Sequence, residues 1–268
     1  MNALAGTLSD SLVVLRRNLV KIRRVPDILV FSTVSPIMFV LLFAYVFGGS
    51  IDLRGGTTYR EFLIAGIFVQ TVVFGATFTG AGIADDMQKG VIDRFRSLPM
   101  SRSAVLIGRT LSDVGINVVS LTVMTATGLA IGWRVHTSAL EVLAAFVLIL
   151  FFAYTFSWVM AFVGLLVKSP EVVNNASFVV IFPLTFVANT FVPLENLPTP
   201  LRVFAEWNPV SAVTRAARDL FGNSAGVVSP SHAWPLQHPV VYTLLAGLAV
   251  LAVFVPLSVR QYQRAATR

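Results

Sequence analysis

The sequence contains no cysteine. That excludes disulfides, thiolate metal sites and cysteine nucleophiles. Histidine is nearly as scarce: the three copies, His136, His232 and His238, do not stand at metal-ligand spacing. Charge is thin as well. Only 12% of residues are Asp, Glu, Lys or Arg, against about 25% in soluble domains. No G-x-x-x-x-G-K-[ST] phosphate loop and no H-E-x-x-H pair occurs, and a hydrolase nucleophile elbow is not expected. The expectation is a chain that is no enzyme, with no cofactor or metal site of its own.

What the sequence has is apolar residues: 56% of the chain, with 21 Phe, 18 Gly and a mean hydropathy of +0.78. A single all-α membrane domain over residues 1–268 is expected. Six stretches approach the ~20 apolar residues of a bilayer-crossing helix: residues 28–47, 62–84, 104–131, 140–167, 172–192 and 240–259. The fifth is the weakest, interrupted by Asn174, Asn175, Pro183 and Asn189. The first begins too late for a secretory signal and lacks a cleavage site, so it reads as a retained span. A net charge of +7 would hint at nucleic acid in a soluble protein. In a membrane chain it reads as the positive-inside rule, with no nucleic acid involved. Fourteen basic residues fall in the termini and even-numbered loops and six on the other side. Both termini and the 85–102 insert are therefore expected in the cytoplasm.

Residues 4–24 carry Leu4, Leu8, Leu12, Leu15, Leu19 and Ile22 on one helical stripe, with Arg17, Lys21 and Arg24 on another face. That is the pattern of an interfacial helix on anionic lipid. In the segment 208–222, Asn208 suits an N-cap, Pro209 the first helical turn and Gly222 the position past the end. Val210, Val213, Ala217 and Leu220 form its apolar stripe, with Arg215 and Arg218 expected to stay on a polar face. It is too short to span. Together with the proline-broken stretch before it, residues 193–222 read as an outer re-entrant hairpin.

The stretch from Asp85 to Arg102 crowds charge between two apolar runs. Residues 86–97 have helical character, Gly90 leaves room for a partner, and Leu98-Pro99 ends the helix. A polar helix placed so can tilt both neighbouring spans if it is pushed, or it is an ordinary solvated loop. Asp113 is the main intramembrane carboxylate. Arg109, four residues earlier, is expected to pair with it. Gln70, Thr71, Asn117, Asn174, Asn175 and Asn189 are polar within spans, where polarity is costly and often functional. They are candidates for substrate contact, or for hydrogen bonds between helices. Phe68, Phe74, Phe78, Phe178, Phe182 and Phe186 suit a path for an amphipathic molecule, or plain packing.

Two motifs carry a resemblance. Asp86, Gly90, Asp93, Arg94, Leu98, Pro99, Ser101 and Arg102 resemble the coupling-helix motif of ABC type-2 transporter permeases. Pro193, Leu197, Pro198, Asn208, Pro209, Arg218 and Gly222 resemble that family's C-terminal signature. The wording around Asn208 is similar to the daunorubicin-resistance-type efflux permeases of actinobacteria. The usual Glu-x-Glu before the glycine is replaced by Asp85-Asp86. The resemblance implies a multi-pass subunit of the bacterial plasma membrane. It implies partners: two ATP-binding subunits that hold ATP and Mg, and a second permease chain, identical or not. It implies ATPase contact at Asp86, Gly90, Asp93, Arg94, Arg96, Leu98, Pro99 and Arg102, and export of drugs or other lipophilic molecules. The same family also exports lipids and polysaccharides. A charged, aromatic lining would favour glycans, and a dry Phe-rich one lipophilic molecules. A membrane scaffold is the reading outside transport.

Overall fold

The computed structural model describes residues 10–17, 20, 26–47, 58–91, 102–167, 169–191, 194, 197–224 and 233–265. Among these every regular element is helical. In chain order they are α1 (10–17), α2 (Pro26–Leu42, passing into a π-helical turn, Phe43–Phe47), α3 (Tyr59–Gly75), α4 (Thr77–Gln88), α5 (Arg102–Ala130), α6 (Ala139–Leu166), α7 (Pro170–Phe186), α8 (Thr199–Trp207), α9 (Pro209–Phe221), α10 (Trp234–Gln237) and α11 (Pro239–Ala265).

Among the described residues, four stretches are long and apolar enough to cross a membrane: Tyr59–Gln88, Ser103–Ala130, Ala139–Leu166 and Pro239–Arg264. They correspond to the second, third, fourth and sixth expected spans. The second joins α3 and α4 through a break at Ala76 and runs past Ala84 to Gln88. α7 is shorter than the apolar run that predicts it, with 17 residues ending at Phe186. α2 contributes a shorter apolar stretch, Val34–Val46.

Local chemistry sets where the helices begin. Thr58 and Glu61 form a reciprocal capping box on α3, and Ser138 and Glu141 form another on α6. Each box gives partners to amide groups that a first helical turn leaves empty. α6 is apolar on every side and occupies the centre. It packs against α11, α4, α9 and α5. Its tightest contact is with α4, where a Cβ on Gly164 would stand 2.3 Å from the Gly80 carbonyl oxygen.

α9 starts and stops as its sequence predicts. The Asn208 Oδ1 accepts from the Val210 amide at 2.9 Å, Pro209 follows, and Gly222 closes the helix at φ +74°. Asn208 does more than cap. Its Nδ2 donates to the carbonyls of Leu184 and Val187 at 2.7 and 3.2 Å. Those carbonyls belong to the end of α7, which would otherwise leave acceptors unmet. One side chain thus ends one helix and begins another, and this is why α7 stops short.

Arg218 departs from expectation. It is not on a polar face but wholly buried, at 0% exposure. Its Nε donates to the Phe62 carbonyl at 2.8 Å and its Nη2 to the Thr190 carbonyl at 3.0 Å. The guanidinium lies 3.6 Å from the centre of the Phe62 ring. The helix is buried nearly all round, including Val210, Val213, Thr214 and Ala217, so a simple stripe underestimates its contacts. Arg215 does stay near the surface, paired with Asp219 at 3.0 Å.

Arg218→Lys keeps the charge but loses the planar fork that reaches two carbonyls. Two charge-assisted bonds are at stake. The midpoint of thermal unfolding in detergent is expected to drop by about 5–10 °C. Arg215→Lys, at the surface, is expected to stay within about 2 °C. Equal shifts for the two variants would show that the buried fork contributes nothing special.

Candidate functional site

A cavity of about 380 Å³ opens between α2, α3, α5 and α7, beside the α3–α4 break. That is the size of a small-molecule site. The break itself is local. Thr77 Oγ1 donates back to the Phe74 carbonyl at 2.7 Å, a bond that bends helices.

One wall is aromatic. Phe178, Phe182 and Phe186 follow at intervals of four on α7, so they share a face. Successive ring centres lie 5.1 and 4.1 Å apart. Phe74 and Phe78 face them from α3 and α4, with Phe74 6.2 Å from Phe178. Phe39 closes the side along α2.

The other wall is polar. Asp113, Asn117 and Ser120 fall on one face of α5, and Gln70 and Thr71 lie across from them on α3. Asp113 and Asn117 are 3% exposed, and Gln70 6%. Gly75 makes room for Asn117, since a Cβ there would stand 2.9 Å from its Oδ1. Thr79 Oγ1 donates to the Asp113 carboxylate. Among the described residues the amides of Gln70 and Asn117 have no hydrogen-bond partner. Both groups line the cavity.

The arrangement therefore unites three of the six polar span residues singled out by sequence, Gln70, Thr71 and Asn117, with five of the six phenylalanines. Phe68 is elsewhere, packed against Trp133, Phe146 and Phe221 in the core. Asn174 and Asn175 are exposed on α7. Asn189 is buried beyond the end of α7. Its side-chain Nδ2 and Oδ1 are unpartnered among the described residues, its main-chain amide donates to Ser211 Oγ at 3.2 Å, and it does not line the cavity. Asp113 is the residue that sequence pairing misplaces. No ion pair joins it to Arg109 among the described residues. Arg109 Nη2 instead donates to the Phe78 carbonyl at 2.9 Å, in space left by Gly82, where a Cβ would stand 2.0 Å from that nitrogen. The two side chains share a face of α5, but the guanidinium reaches for α4.

The charged insert is partly described. Asp85 and Asp86 lie in the last turn of α4, so they end the membrane-crossing helix and do not open a separate one. Asp85 pairs with Lys89 at 2.8 Å, and Asp86 with Arg17 of α1 at 3.8 Å. Gly90 has φ +64°, and nothing in the chain stands within 4 Å of where its Cβ would be. Glycine supplies a left-handed turn here, and a side chain would be strained by its backbone. Asp93, Arg94, Arg96, Leu98, Pro99, Ser101 and the side chain of Arg102 lie outside the described residues, as does Pro193.

In α1, Ser11 and Val14 pack on Gly108 of α5, and Leu12 is 60% exposed. Of the expected stripe, Leu4, Leu8, Leu19 and Ile22 lie outside the described residues. In the C-terminal signature, Leu197 precedes the Pro198 that caps α8, and Asn208, Pro209, Arg218 and Gly222 sit as described above. The string 222–226 has the G-x-S-x-G spacing of a hydrolase elbow. That elbow needs a strand before it, and here Gly222 ends a helix.

Comparison with known proteins agrees with this architecture. The family described as ABC-2 type transporter matches residues 10–221. The chain is 34% identical over 261 residues to the daunorubicin resistance ABC transporter permease protein DrrB1 of Streptomyces coeruleorubidus, covering 97% of this chain and 88% of that one. It is 25% identical over 225 residues to the doxorubicin resistance ABC transporter permease protein DrrB of Mycobacterium tuberculosis, covering 81% and 78%. An all-helical chain with apolar spans, matched by one family over most of its length, has one assignment: it belongs to the ABC-2 type transporter family.

Proposed function

We propose that this chain is the membrane-embedded permease subunit of an ATP-driven exporter, and that its cargo passes through the cavity between α2, α3, α5 and α7. The observation that carries the reading is the cavity itself: a Phe-rich wall facing buried amides that have no partner. Such amides are costly in a membrane unless something meets them. A molecule with an apolar body and a few polar groups meets both walls. The relatives are named for resistance to daunorubicin and doxorubicin, which favours drug-like lipophilic cargo over glycans.

The energy enters from elsewhere. Two ATP-binding subunits, holding ATP and Mg, would dock on the segment that begins at Asp86 and Gly90 and continues through Asp93, Arg94, Arg96, Leu98, Pro99 and Arg102. A second permease chain completes the transporter. α2 and α7 serve as the fifth and sixth crossings beside the four long spans, and α8–α9 form the outer re-entrant hairpin. α1 lies along the inner membrane face with Leu12 toward lipid and Arg17 toward Asp86. Both termini are cytoplasmic, in a bacterial plasma membrane. The charge asymmetry of the loops and the exposure of Leu12 support this placement.

Two tests follow. In vesicles holding the permease and its ATP-binding partner, Phe182→Ala and Asn117→Leu are expected to raise the KM for a lipophilic cargo about threefold or more. Val180→Ala, exposed on the other side of α7 and outside the cavity lining, should leave it unchanged. If all three behave alike, the cavity is not the route. At the other end, Gly90→Val forces a β-branched residue into a left-handed turn. Transport is expected to fall about tenfold while ATP hydrolysis persists. The pair Asp93→Lys/Arg94→Glu is expected to lower co-purification of the ATP-binding subunit. Normal transport by Gly90→Val and an intact complex with the double variant would leave the insert an ordinary loop.

A further inference from the structure

The polar wall of the cavity holds one acidic side chain. Asp113 lines it at 3% exposure, and Thr79 is the one hydrogen-bond donor to its carboxylate among the described residues. Arg109 lies one turn earlier on α5, yet its guanidinium is committed to the Phe78 carbonyl at 2.9 Å and forms no ion pair with Asp113. It tempers the charge of the wall without covering the carboxylate. The remaining polar groups of the wall are neutral amides and hydroxyls. The opposite wall is Phe178, Phe182 and Phe186, whose rings stack on one another along α7 and give the cavity an apolar side. The carboxylate favours a positive group beside it and disfavours a negative one, while the rings accept the apolar body of either. A buried carboxylate without a cation is costly at this depth, so a cationic ligand gains the pairing that the protein withholds.

We infer that Asp113 makes this cavity selective for lipophilic cations. The positive group of the ligand stands at Asp113, with Gln70 and Asn117 free to bond its polar substituents, and the apolar body lies along the α7 phenylalanines. This rests on the cavity being the cargo site and adds the charge class of the cargo. Asp113 is the specificity-determining residue, and Gly82 and the Phe78 carbonyl are what keep Arg109 from occupying its place.

The test uses two ions of the same shape and opposite charge, tetraphenylphosphonium and tetraphenylborate. Their equilibrium binding is measured on the permease with its ATP-binding partner in lipid nanodiscs, with protein-free nanodiscs subtracted. The wild type is expected to bind the phosphonium about tenfold more tightly than the borate. Equal or reversed preference overturns the inference without any variant. Asp113→Asn keeps the shape and the bond with Thr79, and should lower the cation-to-anion affinity ratio about tenfold. Asp113→Glu should restore most of it. An unchanged ratio in Asp113→Asn, with both ions weakened by Phe182→Ala, overturns charge selection and leaves the cavity as the cargo site. If Phe182→Ala leaves both ions unaffected, the cavity itself is the wrong place, and the inference falls with it.

Discussion

The structure depends on a buried guanidinium that has no carboxylate to answer it. Arg218 meets two main-chain carbonyls instead, one on α3 and one in the turn after α7. In a buried interior the Thr190 carbonyl, outside any helix, needs a donor, and a donor as strong as arginine needs acceptors. The two carbonyls take Nε and Nη2, while Nη1 has no acceptor among the described residues. Tyr59 adds a further bond to the same turn, donating to the Phe191 carbonyl at 3.2 Å. Gly66 lets the turn lie directly on α3, where a Cβ would collide with the Thr190 carbonyl. The result is that α3, α9 and the end of α7 hold one another in register.

The cavity inherits that register. Phe191, in the clamped turn, packs against Phe43 of the π-helical turn and Phe186 of α7, with ring centres 4.7 and 5.0 Å apart. The aromatic wall is thus fixed at its end by the same turn that Arg218 holds. Asn208 fixes it again through the final carbonyls of α7. Signature residues that look remote from any cargo set where the Phe face points.

Much of this was readable from residue order. The long spans follow from apolar length, and Asn208-Pro209 and Gly222 gave the ends of α9 through capping chemistry that depends on neighbours in the chain. The Phe spacing on α7 and the polar positions Gln70, Thr71 and Asn117 were visible as periodic or costly residues. What could not be read was partnership across the fold. Arg218 looks like a surface charge until Phe62 and Thr190 are brought to it from 156 and 28 residues away. Arg109 and Asp113 look like a pair because spacing of four favours one. Only the approach of α4, with its bare Gly82 and its Phe78 carbonyl, shows the guanidinium a better acceptor. Asn174 and Asn175 differ from Asn117 only in which side of their helix meets neighbours, and an asparagine does not announce that.

The Gly80–Gly164 contact has a mechanical consequence. Here α4 and α6 meet backbone to backbone, with no side chain between them to change rotamer or be compressed. Such a contact can roll or slide but cannot cushion. It lies between the break at Ala76 and the acidic end at Asp85-Asp86, so it has the geometry of a fulcrum on a jointed rod. A load applied at the acidic end would reach the joint as rotation, with little lost to elastic give, and the joint borders the cavity. Stiffness at one pair of glycines would then govern how far a distant push is felt.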